Sequence, residues 1–320
     1  MTSHFRCLFC LPVAAMAAAS PLELVETADI LRITLDHKPV LEYRKTEKAV
    51  PPGLNQAYRR SGYFHPVFSP GGQEVSGDFP ADHPHQHGLF MAWTDTRYAG
   101  KTVDFWNLAK EQGRVEFREV LNRESDDRKA SFSVRHAHVA GQGEDRRDVL
   151  DETWTVTVHH TDGDHFLFDL SSEQRCAGPE PLILPQYRYG GMAFRGPDQW
   201  LEKANSNPDQ KAPMRFLTSE GKDRRQGNHS RPHWVAMSGK IDDQDTTLVV
   251  MGHPKNFRAP QPVRIHPDKP YFCFAPMVVG DFKIEPGQRY LSRYRYLITS
   301  AKLDRAFIDK AWQTYAAEEQ

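Results

Sequence analysis

The sequence predicts an all-β protein, a large antiparallel β-sandwich with one C-terminal α-helix. Two observations predict it. Nearly every segment past residue 20 reads as strand, with apolar and polar residues alternating at period two between turn-forming clusters. A 3.6-residue period shows clearly only at the end of the chain. Many twisted strands over this length point to one sandwich of two big sheets, although a two-domain β protein would carry much the same pattern.

Taken in order, the chain opens with MTSHFRCLFCLPVAAMAAASPLELVE. Arg6 supplies a basic region, residues 7–18 an apolar one, and Ala17-Ala18-Ala19-Ser20 a small-residue stretch suited to cleavage. That is the layout of an export signal over residues 1–20, with a buried N-terminal helix as the alternative. Export would place the mature chain in the periplasm or outside the cell. A single domain over residues 21–320 is expected, since no Gly/Ser-rich or Pro-rich linker divides it and no repeat of fixed period appears. Cleavage removes Cys7 and Cys10 and leaves Cys176 and Cys273, which are too far apart for a zinc ribbon or a CxxC pair. One disulfide and two buried thiols both fit.

ILRITLDHKPVLEYR (30–44) reads as two strands around a His-Lys-Pro turn. Phe132, Val134, His136 and His138 alternate along one strand. TWTVTVHHTDGDHFLFDLSS (153–172) is a hairpin around Thr161-Asp162-Gly163-Asp164. WVAMSGKIDDQDTTLVVM (234–251) repeats the pattern around Asp242-Asp243, and YFCFAPMVV (271–279) and YLSRYRYLIT (290–299) follow. A helix over 302–317 would place Leu303, Phe307, Ile308, Trp312 and Tyr315 on one face against the sheets.

Composition narrows the function classes. The chain has 320 residues, 39% hydrophobic and 26% charged, with a net charge of -1 of mixed sign. Such a balance gives no footprint for nucleic acid or an anionic membrane. With a mean hydropathy of -0.65, no apolar run after residue 20 approaches the ~20 residues of a membrane helix. Nothing in the pattern fixes an oligomeric state.

The stretch DHPHQHGLFMAW (82–93) sets three histidines at alternate positions. In extended backbone His83, His85 and His87 would share a face, and Pro84 would put them at a sheet edge. Imidazoles so placed can hold a divalent metal, sit hydrogen-bonded in a wet edge, or exchange protons in a polar pocket. For a metal, the partners are missing: Leu89 and Phe90 stand where a cupin-type site has its glutamate, and no HExxH occurs. The surroundings favour a pocket for a small-molecule or oligosaccharide ligand, with no cofactor expected. SGYFHPVFSPGG (61–72), which contains His65, and DFPADHPHQHGLFMAW (78–93) read as long ordered loops. VDFWN sets Asp104 beside Trp106, YRYGGMAFRG carries Tyr189 and Arg195, and NHSRPHWVAMSG and MGHPKN add Arg231, His233 and His253. Aromatic faces with carboxylates, guanidinium groups and imidazoles suit a sugar, whose CH faces stack on rings while its hydroxyls take planar polar partners.

The motifs YFHPVFSPGG, DFPADHPHQHGLFMAW, VDFW, YGGMAFRG and MGHPKN, in this order, resemble a secreted bacterial family of unknown function long labelled "methane oxygenase PmoA". The likeness runs from about residue 25 to 300, and the label implies little, because true methane oxygenase subunits span membranes. The resemblance implies a β-supersandwich similar to galactose mutarotases and a carbohydrate-processing role. The family's histidine motif reads DHPHHRG. Asp82, His83, Pro84, His85 and Gly88 match it, while Gln86 and His87 replace His and Arg.

Three expectations follow. In the first, an enzyme moves protons at or near an anomeric carbon as an epimerase or mutarotase, a lyase or hydratase, or a hydrolase. His83 or His85 is then the acid–base group and Asp104 its partner. His65, His87, Tyr189, Arg195, Arg231, His233 and His253 surround the substrate, with Trp93 or Trp106 as a stacking face. The second is a non-catalytic carbohydrate-binding protein, and the third a metal-dependent oxygenase or hydrolase on His83, His85 and His87.

Overall fold

A computed structural model describes residues 21–201 and 214–318. The segment read as an export signal, with Cys7 and Cys10, lies outside the described residues. The chain is all-β and antiparallel with one C-terminal helix. It is built from two eight-stranded sheets and a four-stranded one. The first sheet runs Leu22–Glu26, Ile30–Leu35, Lys38–Arg44, Tyr63–Val67, Leu89–Ala92, Gly191–Arg195, Tyr271–Phe274, Val263–Ile265. The second runs Met214–Thr218, Trp234–Ile241, Gln244–Gly252, Tyr290–Thr299, His165–Cys176, Arg147–His159, Lys129–Ala140, Gly113–Ser125.

Local chemistry sets the turns. Asp36 and His37 take φ 49° and 62°, and Asp242 and Asp243 take φ 49° and 61°. These left-handed pairs give the twist that a two-residue hairpin needs. The first turn therefore sits one residue earlier than His-Lys-Pro, and Lys38 and Pro39 belong to the strand. Two stretches expected as loops each contain a strand of the first sheet, Tyr63–Val67 and Leu89–Ala92, joined through Phe64 and Leu89. The stretch 271–279, expected as one strand, ends at Phe274, and Pro276–Val279 turns as a 3-10 helix that begins on a proline without an amide donor.

The helix spans Arg305–Ala317, starting where the Asp304 carboxylate accepts the Phe307 amide at 2.7 Å. Ile308 and Tyr315 bury against Trp234, Ala236, Val249, Met251 and Leu297 on the outside of the second sheet. Phe307, expected on that face, is 44% exposed, and Leu303 precedes the helix. Cys176 and Cys273 form no disulfide. Cys176 donates to the Ile284 carbonyl, and Cys273 accepts from the Tyr271 hydroxyl.

The interior joins the two large sheets through Tyr43 and Phe64 from one and Phe132, Trp154 and Phe168 from the other. Phe64 and Trp154 stack at 5.7 Å and 7°. A polar knot sits inside this apolar core. Glu152, with no exposure, accepts from His138 Nε2 at 2.8 Å, Trp154 Nε1 at 2.7 Å, Gln174 Nε2 at 3.0 Å and the Ser172 hydroxyl. His136 Nδ1 lies 3.5 Å away, and its Nε2 receives the Tyr43 hydroxyl from the facing sheet. Trp93 donates to Gln174 at 2.7 Å and extends the knot to the end of the first sheet. Burial works to protonate Glu152, but hydrogen bonds from His136 and His138 win and hold its carboxyl well below the usual carboxylate range.

Glu152→Ala leaves four or more buried donors without an acceptor. It should cost roughly 3–5 kcal/mol of stability, read as a lower guanidinium midpoint at an unchanged slope. A loss under about 1 kcal/mol would remove the carboxylate from the structural centre. Because the folded carboxyl is depressed, its stabilisation is fully present above the unfolded value of ~4.3 and is lost as pH falls below it.

Candidate functional site

Alternation on three paired strands prepares the site. Leu89, Phe194 and Phe272 share one register row and point into the sandwich. Phe90, Ala193 and Cys273 form the next row on the opposite face, with Arg195 and Tyr271 paired beyond them. The histidine run rests at this end of the sheet. It is not extended: the His83 amide bonds to the Pro80 carbonyl and the Gln86 amide to the His83 carbonyl, so residues 80–86 fold as consecutive turns. The even spacing of the three histidines therefore does not give them one face.

What holds these turns is Arg195, fully buried at the strand end. It donates to both Asp82 oxygens at 3.3 and 3.0 Å, to Gln86 Oε1 at 3.1 Å and to Asp198 Oδ1 at 3.2 Å. Lys269 adds a contact of 3.5 Å to Asp82. Desolvation opposes the Asp82 charge, but the hydrogen bonds from His83 and Arg195 keep its carboxyl far below the usual range. An ionised Asp82 can only accept, so His83 carries its proton on Nδ1, 3.1 Å away.

His83 then stands between two other imidazoles, with ring centroids 5.6 Å from His85 and 5.3 Å from His266. His266 Nδ1 pairs with Asp268 Oδ1 at 2.8 Å. His85 makes no ring hydrogen bond among the described residues. Burial, then the neighbouring His83 and His87, push His85 down to about 4, and burial brings His266 to about 4 as well. Both rings are neutral at ordinary pH. The His83 side chain is 30% exposed, so solvent reaches the row.

Beside it, Trp106 packs on Phe90, Tyr189 and Tyr271. Tyr189 and Tyr187, both half-buried, meet edge to face at 5.0 Å, and Asn107 Nδ2 donates to the Tyr189 hydroxyl at 3.0 Å. Arg188 lies over the Tyr189 ring, and Arg264, on the strand paired with Tyr271–Phe274, donates to Asn228.

The structure thus gathers His83, His85, Trp106, Tyr189 and Arg195 around one end of the first sheet and disperses the rest. Asp104 lies near His85 but is committed elsewhere. It caps its own loop by accepting from the Trp106 and Asn107 amides and takes the Lys110 ammonium at 2.7 Å. Trp93 and Trp106 are both buried, so neither offers a stacking face. Arg195 is spent on the loop and not on a ligand. His87 turns away from its neighbours into a second cluster: its Nδ1 donates to Asp78 at 2.8 Å and its ring meets Phe79 edge-on. His65 sits in that cluster too, between Ser76, Glu74 and Asp78, and burial lowers it to about 4. Arg231 is exposed and bonds the Pro260 and Arg258 carbonyls. His233 stacks on Trp312 and His253 packs on Tyr315. Both line a cavity of about 70 Å³ beside the helix, away from the histidine row. Because His87 diverges, the three-histidine metal set does not converge. Among the described residues no group of three His, Cys, Asp or Glu side chains is placed to hold a metal ion.

Sequence reasoning missed Asp82 as an actor, and also His266, Tyr271, Lys269 and Tyr187. One signal was available: RIHPDKPY (264–271) repeats the His-Pro pair with an adjacent aspartate seen in DHPH.

The family described as "Family of unknown function (DUF6807)" matches residues 31–313. No curated protein matches the chain. Among solved structures it is similar to a GalM/aldose epimerase homologue from C. elegans, at 10% identity over 88% of this chain and all of that one, with a TM-score of 0.34. It is also similar to a heparan sulfate lyase from Pedobacter heparinus, at 9% identity over 90% of this chain and 38% of that one, with a TM-score of 0.33. An alpha-galactosidase from Lactobacillus brevis gives 11% identity over 90% of this chain and 40% of that one, with a TM-score of 0.35. The chain thus spans about two fifths of the length of the lyase and the galactosidase.

Arg195→Ala should free the turns at 80–86 and cost roughly 2–4 kcal/mol, because it strips the main partner from a half-buried carboxylate. Amide exchange at Gln86 and Gly88 should quicken while that of the second sheet stays slow. Unchanged exchange at those two amides would mean that Arg195 does not anchor the loop.

Proposed function

The chain belongs to this family of unknown function, and on that premise we propose that it is a carbohydrate-processing enzyme that transfers protons at or next to an anomeric carbon. One observation carries the reading. Three imidazoles stand in a row, two with Nδ1 against a carboxylate and the middle one reached by solvent, beside the half-buried rings of Tyr187 and Tyr189. A carboxylate on Nδ1 fixes the tautomer and presents Nε2 as the group that exchanges a proton.

His85, neutral down to about pH 4, takes a proton from a sugar hydroxyl or a C–H beside a carbonyl. His83, held through Nδ1 by Asp82, exchanges the second proton through Nε2 on the other side of the bond being made or broken. Proton removal and return balance, so mutarotation, elimination or hydration, and glycoside hydrolysis share the step. Tyr189 and Tyr187 offer ring faces to the sugar, and Arg188 and Arg264 offer donors to its hydroxyls. Export to the periplasm or beyond belongs to the same proposal. It rests on Arg6, the apolar stretch 7–18 and the small residues 17–20.

The test is a screen of mono- and disaccharides for mutarotation, elimination and hydrolysis. Once turnover is found, His83→Ala and His85→Ala should each lower kcat ~100-fold or more, with thermal midpoints close to the parent. Full activity in both variants would end the assignment. Saturable sugar binding with no turnover would favour a binding protein instead. The rate should hold from neutral pH down and fall as pH passes through about 4, where His85 gains its proton and stops acting as a base. For export, a mature chain beginning near Pro21 in the periplasmic fraction is expected. An intact Met1 terminus in the cytoplasm would overturn that part.

A further inference from the structure

A second concavity, of about 330 Å³, lies between the loop 255–257 and the segment 282–291 and shares no lining residue with the histidine row. Its floor is aromatic. Phe282 and Tyr290 stack at 5.8 Å and 20°, and Phe257 leans on both at 4.9 and 5.9 Å. Phe257 is 40% exposed, an unusual position for a phenyl ring whose neighbours are so well packed. The floor is rigid from behind, because Trp93 meets Phe282 and Tyr290 edge-on and is itself tied to Gln174.

The rim is cationic. Lys255, Lys283 and Arg289 line it. The Arg258 guanidinium lies over Phe257 and Phe282 at 4.9 and 5.1 Å, held there by the carbonyls of Pro276, Gly280 and Asp281. Among the described residues, Lys255 and Arg258 have no carboxylate within 4 Å. Lys283 and Arg289 meet Glu285 and Glu173 only at 3.9 and 3.4 Å, on exposed side chains where such pairs contribute little. Positive charge around an exposed ring face is thus left largely uncompensated.

We propose that this concavity binds an anionic pyranose, a sugar unit carrying a carboxylate. Its CH face lies on Phe257 and the Phe282–Tyr290 pair, and its carboxylate is taken by Lys255 and Lys283. A neutral sugar leaves the ammonium groups unanswered, and a small inorganic anion leaves the rings uncovered, so the two parts together select the class. The site is independent of the histidine row and holds whether or not that row is catalytic.

The experiment is calorimetric titration of the full chain with a glucuronate-containing disaccharide, its neutral glucose counterpart, sulfate and benzoate. Saturable binding of the glucuronate disaccharide is expected, at least tenfold tighter than the neutral one and weakened by raising salt from 0.05 to 0.5 M. Phe257→Ala and Lys255→Glu, both at exposed positions, should each lower affinity fivefold or more with unchanged thermal midpoints. The proposal is overturned if the glucuronate disaccharide does not bind, or if the neutral disaccharide binds as well. It is also overturned if sulfate or benzoate alone matches it, or if both surface variants bind like the parent.

Discussion

A carboxylate sealed between two sheets constrains everything else in this molecule. Glu152 is fully buried, so its charge is tolerable only while His138, Trp154, Ser172 and Gln174 all point at it. Those donors sit on three neighbouring strands, and the Tyr43–His136 link reaches the opposite sheet. A slip of one residue in any of these strands would turn a donor outward and strand the charge. Apolar packing alone would accept several registers, whereas the knot accepts one. Fully buried Arg60, in the loop that precedes Tyr63–Val67 and within electrostatic reach of Glu152, adds positive potential.

The site on the outer face of the first sheet inherits that rigidity and adds its own anchor. Gly88 has φ 47°, and a Cβ there would fall 2.0 Å from the Phe64 carbonyl oxygen. That close approach lets the chain leave its turns and enter the strand directly. The turns split the histidines into two groups. His83 stands between His85 and His266, and His87 joins His65 on Asp78. The neutral His85 and His266 rings in the first group and a saturated aspartate in the second are the outcome of burial acting on similar side chains with different partners.

Much of the sandwich was legible because half-buried strands advertise themselves. Phe132, Val134, His136 and His138 alternate inward, and the Asp242-Asp243 pair marks its turn. The first sheet was harder, since Tyr63–Val67 and Leu89–Ala92 are short, covered on both faces and flanked by segments rich in proline and glycine, and so lack alternation. Site residues were readable as a class more than as individuals. A histidine gives the same signal whether it holds a proton for chemistry, as proposed for His83, or packs on an aromatic ring, as His233 and His253 do. Asp104 stayed open between capping and chemistry for a related reason: carboxylates near loops most often satisfy amides, and nothing in VDFWN distinguishes that use from catalysis. His266 and Tyr271 were out of reach because strand order in the sheet, which the sequence does not display, brings residue 271 beside residue 195.

The segment carrying the histidines is fastened at its neck. Gly77 donates to the Arg195 carbonyl, Gly88 to the Gly77 carbonyl, and Arg195 to the Gly88 carbonyl, so main-chain bonds close residues 77–88 into a noose around one strand end. All three of those bonds join main-chain atoms. Mutation there can exchange imidazoles for other groups, or lengthen the tip, without disturbing the pairing of any sheet strand. Selection is thereby free to redraw the chemistry of this patch while the scaffold that presents it stays as it is.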